Sequence, residues 1–253
     1  MIKLSFVLIS TCFLLSSCAS THKTEISDQE RADLLIDVAS ADLNEGDPTS
    51  ALINLLEAEK LEKKSGDIQY LLALTYYQKN ELPLALQSAR KAIDLKPNFS
   101  AAKNTLGKLL LDQGKLTEAE KYLTAAANDL TYREAYIAKT NLGILNFKIL
   151  KFAVAETWLN KAIFDAGDGA CIAYYYRGQI NLEKNLLDKA NADFNRASRN
   201  MCSKFSDAHL AIGKTFLRMK KYDLARAKLL EVQQIFPTSD AATQANEYLR
   251  EIP

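Results

Sequence analysis

Apolar and small residues recur along this chain every 34 to 36 positions, and six aligned stretches share one template. Counted from Ala32, Gly66, Ser100, Tyr136, Cys171 and Ser206, the eighth residue is always small: Ala39, Ala73, Gly107, Gly143, Gly178 and Gly213. The twentieth is alanine throughout (Ala51, Ala85, Ala119, Ala155, Ala190, Ala225), and position 27 gives Ala58, Ala92, Ala126, Ala162, Ala197 and then Val232. Position 24 is large in five units (Leu55, Leu123, Leu159, Phe194, Leu229), with Ala89 the exception. This pattern predicts two packed helices per unit, with small residues where the backbones cross closely and a bulky residue filling the gap to the neighbouring pair. Position 15 is Gly46, Asn80, Gly114 and Asn185 in four units, residues that tolerate the left-handed conformation ending a first helix. Pro48 and Pro83 then stand where second helices start, a place that suits a residue without an amide hydrogen.

The template resembles the tetratricopeptide repeat family over residues 32 to about 238. That resemblance implies an all-α fold: a right-handed α-solenoid of six repeats at 32–65, 66–99, 100–135, 136–170, 171–205 and 206–238, in one elongated domain over 28–253. Ser27 and Glu30 make a capping box for the first helix. After Pro237, residues 239–250 read as a solvating cap helix, with Ser239 as N-cap and Tyr248 and Leu249 facing back onto the last repeat.

Residues Met1 to Ser17 carry one early cation, Lys3, and a mostly apolar run from Leu4 to Leu15 that is too short to span a bilayer. The run ends in Leu15-Ser16-Ser17-Cys18, which resembles a bacterial lipobox; a conventional secretory signal with a chance cysteine is the other reading. In the lipobox reading, 1–17 is a lipoprotein signal peptide and Cys18 is the acylated first residue of the mature chain. Each palmitate-like chain then contributes about 0.8 kcal/mol per buried methylene to membrane attachment. Ala19 and Ser20 follow, without the aspartate of an inner-membrane retention signal, so the expected address is the periplasmic face of the outer membrane. Residues 18–27 form a polar tether, and the nine residues after Cys18 reach about 30 Å at most.

Charge narrows the ligand classes. Lysines and arginines number 32 against 31 acids, which leaves no basic footprint of the kind nucleic acid demands. The two histidines are His22, in the tether, and His209, at a position expected to pack between repeats. They assemble no zinc cluster, and the sequence has no glycine-rich phosphate loop, serine nucleophile elbow or paired-carboxylate motif. The expectation is a binding protein with no catalytic site, cofactor, metal or small-molecule substrate.

Four cysteines are present, of which Cys12 leaves with the signal and Cys18 takes the lipid. Cys171 and Cys202 occupy positions 1 and 32 of the fifth unit. An antiparallel hairpin puts the start of its first helix beside the end of its second, so these two could meet and pair in an oxidising periplasm. Two separate buried thiols are the alternative.

The concave side of the solenoid is the expected partner surface. Position 12 of the first helices is apolar in every unit: Leu43, Tyr77, Leu111, Phe147, Leu182 and Leu217. Beside it lie Ile36, Tyr70, Leu74, Ile144, Tyr175 and Leu210, which predicts an apolar strip along the groove with Tyr70, Tyr77, Phe147 and Tyr175 as anchors. The alternative is that position 12 belongs to the core. The Lys and Asn carboxylate clamp of chaperone-binding repeat proteins is not matched, because Ile36 and Ser40 stand at positions 5 and 9 of the first unit.

Taken together, a secreted lipoprotein pattern, a short tether and six repeats resemble the PilW/PilF/Tgl group of type IV pilus pilotins. The link from Asn128 to Ala135 leading into Asn141-Leu142-Gly143, and the Cys171 and Cys202 pair, support this resemblance. It implies binding to the secretin, the ring through which the pilus crosses the outer membrane, and promotion of its assembly there. A scaffold lipoprotein of another envelope machine, such as a tight-adherence apparatus, is the competing reading. Arg177 departs from the pattern, since position 7 is aliphatic in the other units (Val38, Leu72, Leu106, Leu142, Ile212).

Overall fold

The computed structural model describes residues 26–253; the expected signal peptide at 1–17, Cys18 and the tether as far as residue 25 lie outside the described residues. Six antiparallel hairpins follow one another: α1 (Asp28–Glu45) with α2 (Pro48–Leu61), α3 (Gly66–Gln78) with α4 (Leu82–Leu95), and α5 (Ser100–Asp112) with α6 (Leu116–Ala127). Then come α7 (Ala135–Lys148) with α8 (Phe152–Ala166), α9 (Cys171–Glu183) with α10 (Leu187–Arg196), and α11 (Ser206–Arg218) with α12 (Tyr222–Ile235). A single helix, α13 (Asp240–Glu251), closes the row. Each hairpin packs mainly on the next one in sequence, so the core is a continuous seam rather than a central ball. Among the described residues there is no strand, and no helix is long and apolar enough to cross a membrane.

Local chemistry sets the helix ends. The Glu30 amide donates to the Ser27 hydroxyl at 3.2 Å while the Ser27 amide donates to the Glu30 carboxylate at 2.8 Å, completing the capping box. Asp47 accepts from the amides of Thr49 and Ser50 and holds α2 at Pro48; Ser239 does the same for α13 through the Ala242 amide. Position 15 is left-handed in all six units, not only the four with Gly or Asn: Leu150 has φ 60° and Lys220 has φ 57°. These two are held in a conformation their side chains disfavour by the next amide, since Lys151 donates to the Asn146 carbonyl and Lys221 to the Phe216 carbonyl, each at 2.9 Å.

The bulky residue at position 24 makes contacts on two sides. It lies over the small residue of its own hairpin: a Cβ added at Gly107, Gly143 or Gly178 would come within 2.6, 2.5 or 2.6 Å of Leu123, Leu159 or Phe194. Glycine therefore leaves the volume that the facing helix fills. The bulky residue also faces the next pair, as expected: Leu55 shares a buried cluster with Ile68 and Leu72, and Phe194 shares one with Ala211 and Ile212. Positions 3 and 7 of the following unit complete the joint between hairpins. Ile68, Leu72, Ala102, Leu106, Ala138, Leu142, Ala208 and Ile212 are all buried there. In the first unit the same positions hold Leu34 and Val38, which are 57% and 49% exposed because no hairpin precedes α1 among the described residues.

Arg177 fills the position where the other units carry an aliphatic side chain. Its guanidinium donates twice to Asp193 and once, at 2.7 Å, to Asn160; Asn181 donates to the same carboxylate at 2.9 Å. Asp193 is buried, and this polar cluster replaces an apolar contact in the fifth unit.

Candidate functional site

First helices touch one another along the row, α1 with α3, α3 with α5, α5 with α7 and α7 with α9, while the second helices make no comparable contacts. The first helices therefore occupy the inner, more tightly curved side, and the expected partner residues lie on them.

Placement of those residues divides them. Leu43, Leu111, Ile144, Leu182 and Leu210 are at most 9% exposed, so the expectation of an open strip at these positions is corrected: they are core. The following element covers four of them: Leu43 packs with Leu72, Leu111 with Leu142 and Leu145, Leu182 with Ala211 and Ile212, and Leu210 with Ala241 and Ala245 of α13. Ile144 belongs to the same buried cluster as Leu111. Ile36, Leu74 and Leu217 are partly buried against the same seam. Tyr77 is the most open of the expected anchors. Its hydroxyl donates to Asp112 at 2.9 Å, and the Lys108 ammonium lies 3.2 Å from that hydroxyl and bonds Asp112 as well. Burial disfavours the Lys108 charge, but the bonds to Asp112 and Tyr77 outweigh it and hold its pKa above the ordinary value.

Tyr70 packs on Phe99 in a tilted arrangement with ring centroids 4.9 Å apart, and its phenol is pushed to a higher pKa by burial. Phe147 and Tyr175 belong to a longer aromatic run. Phe147 meets Tyr176 at 5.4 Å, Tyr176 meets Tyr175 at 5.5 Å, and Tyr175 meets Phe205 at 5.1 Å, linking α7, α9 and the link before α11. Burial raises the pKa of both tyrosines, so the run is uncharged. Beside it, Tyr175, Leu182 and Leu210 border a cleft of about 190 Å³ whose other walls include Gln179, Asp207 and Lys214.

Tyr176 and Phe205 were not among the expected anchors, because position 6 and the links fall outside the template's inner-face positions. The run Tyr174-Tyr175-Tyr176 carried the signal: three successive helical residues fan over about 200°, so they cannot all face the same side. Among the described residues no three His, Cys, Asp or Glu side chains converge as a metal requires. His209 is buried in the last repeat, packed on Phe236 at 5.1 Å with its ring nitrogens on Ser203 and Lys228. The sulfurs of Cys171 and Cys202 are joined in a disulfide with the Cα atoms 5.5 Å apart, tying the two ends of the fifth hairpin.

A tetratricopeptide repeat family model matches residues 37–98 and 104–170. The chain belongs to the tetratricopeptide repeat family. The matched residues stop before the fifth and sixth units, where Arg177 and the disulfide depart from the common pattern. In sequence the chain is 27% identical over 141 residues to the type IV pilus assembly protein PilF of Pseudomonas aeruginosa, an alignment covering 56% of each chain. In structure this repeat array is similar to PilF of Pseudomonas aeruginosa, with a TM-score of 0.71 over 88% of this chain and 99% of that one at 20% identity. It is likewise similar to PilW, described as a widely conserved type IV pilus biogenesis factor, with a TM-score of 0.72 over 84% of this chain and 97% of that one at 22% identity.

Proposed function

We propose that this repeat protein is a pilotin: a lipoprotein held to the periplasmic face of the outer membrane through Cys18 that binds the type IV pilus secretin and promotes its assembly there. The observation that carries the reading is the likeness to PilF in both sequence and fold, joined to the lipobox-like Leu15-Ser16-Ser17-Cys18. The protein acts by binding and transforms no substrate. Its inner face offers Tyr77, Phe147, Tyr175 and Tyr176 to a segment of the secretin, and the anchor confines that face to the leaflet the secretin enters, raising the effective concentration of the encounter. Aromatic side chains give large contact area at low entropic cost, which suits a groove that must hold and later release a subunit.

Capture of the secretin by the full-length protein from detergent-solubilised envelopes tests this. The double variant Tyr77→Ala and Phe147→Ala is expected to lose capture while keeping its helical circular dichroism. Undiminished capture by that variant excludes the inner face as the binding surface.

A further inference from the structure

The edge of the row at which hairpins are linked to one another carries a ridge of exposed apolar side chains. Leu130 is 101% exposed in the link after α6, Phe164 is 89% exposed in the last turn of α8, and Met201 is 74% exposed in the link after α10. Leu95 and Ile235 stand exposed at corresponding places at the ends of α4 and α12. Five successive units thus place a large apolar residue at positions 29 to 31, and in the middle three (Leu130, Phe164, Met201) it stands almost wholly in solvent. The turn edge has exposed apolar residues too (Leu84, Leu150, Leu186, Leu224), but the three most exposed large apolar side chains all stand on the link edge, which marks it as the stronger interaction surface.

The same edge is where the chain enters the fold. Second helices end beside the starts of their own first helices: Lys96 after α4 pairs with Asp67 at the start of α3 at 3.0 Å, and Cys171 is bonded to Cys202. In the first unit, Gln29 at the start of α1 donates to Glu62, just past α2, at 3.3 Å. Ile26, the first described residue, is itself exposed here. A tether of nine residues reaching about 30 Å at most therefore runs from this edge to Cys18.

We propose that this edge rests on the bilayer, with Leu130, Phe164 and Met201 entering the headgroup boundary. The inference rests on the lipid anchor of the proposed function and adds an orientation to it: the link edge faces the membrane, and the turns at positions 15 face away. Charges around the three links are of both signs, with Asp129, Arg133 and Glu134 in one, Asp168 in the next and Arg199 and Lys204 in the third. Contact is therefore driven by apolar burial and is insensitive to salt. Inner-face aromatic residues stay clear of lipid in this orientation and remain open to a protein.

Tryptophan quenching in vesicles tests it. The full-length acylated chain with Trp158→Phe loses its sole tryptophan, and Phe164→Trp then reports from the ridge, at a site too exposed for the change to disturb packing. Lys151→Trp in the same background reports from the opposite edge, one length of α8 away. In phosphatidylethanolamine and phosphatidylglycerol vesicles with brominated acyl chains, emission from Phe164→Trp is expected to be lost and emission from Lys151→Trp retained, at low and at high salt alike. Vesicle-bound protein with no quenching at position 164, or with equal quenching at both, overturns the orientation while leaving the anchor intact. Protein that does not float with the vesicles overturns the anchor, and the orientation with it.

Discussion

Gly178 lies directly beneath the ring of Phe194, so close that a Cβ at position 178 would sit 2.6 Å from the ring's Cε1. The glycine at position 8 and the bulky residue at position 24 are thus a single packing unit in the third to sixth hairpins. Gly178→Ala is expected to destabilise by about 1–3 kcal/mol through overpacking. The loss should shrink in Gly178→Ala with Phe194→Leu, because the smaller side chain yields the room. Urea unfolding of the two variants and the parent measures both, and equal losses in single and double variants contradict the pairing.

Position 7 makes the joint between hairpins, so its worth depends on having a neighbour. Leu106 is fully buried against the preceding unit, whereas Val38 is about half exposed at the open end of the row. Leu106→Ala is expected to cost about 2–5 kcal/mol. Val38→Ala should cost under about 0.5 kcal/mol. Thermal melts of both variants decide it; comparable losses contradict the account of the joint.

The disulfide between Cys171 and Cys202 closes a loop with a sequence separation of 31. Cross-linking a loop of that size stabilises by roughly 3–4 kcal/mol in the chain-entropy treatment. Cys171→Ser with Cys202→Ser should therefore lower the melting temperature, and added reductant should lower the parent's melt but not the variant's. A variant melt matching that of the oxidised parent contradicts a stabilising role.

His209 gives the fold a dependence on pH. Lys228 donates to its Nδ1 at 3.0 Å, Nε2–H donates to the Ser203 carbonyl at 3.1 Å, and the ring is neutral in that arrangement. Burial first, and the Lys228 charge second, lower its pKa below 6.5; Glu231, 3.6 Å from Nδ1, offsets only part of this. Because the folded value is depressed, the unfolded chain takes up the proton first. The stability this contributes is present above about pH 6.5 and lost as pH falls from there toward the lower folded value. Melts at pH 7.5 and pH 5 should show a smaller drop for His209→Gln than for the parent; an equal drop assigns the acid sensitivity elsewhere.

The hairpins were legible because their signal is repeated: small residues at positions 8, 20 and 27 recur in six units, so chance composition at any one of them is averaged out. The two helix-end features read from the residues, the Ser27 box and the Ser239 cap, depend only on a few neighbouring residues and are found where the sequence puts them. What the pattern did not reveal is which neighbour a bulky side chain meets. Period alone does not distinguish a side chain that meets only the next hairpin from one that also fills its own, as Leu123 does over Gly107. The same blindness affected Leu111 and Leu182, whose apolar character fits a groove and a core equally well. Leu150 and Lys220 were missed as left-handed residues because the backbone hydrogen bonds that hold them leave no mark on side-chain type.

The pilotin reading is tested most directly in the parent cell, by following secretin multimers in separated membranes after the gene for this chain is deleted. The account predicts that heat-resistant multimers disappear from the outer membrane, that the wild-type chain restores them, and that Cys18→Ser does not. Multimers that persist at normal abundance in the outer membrane of the deletion strain contradict it.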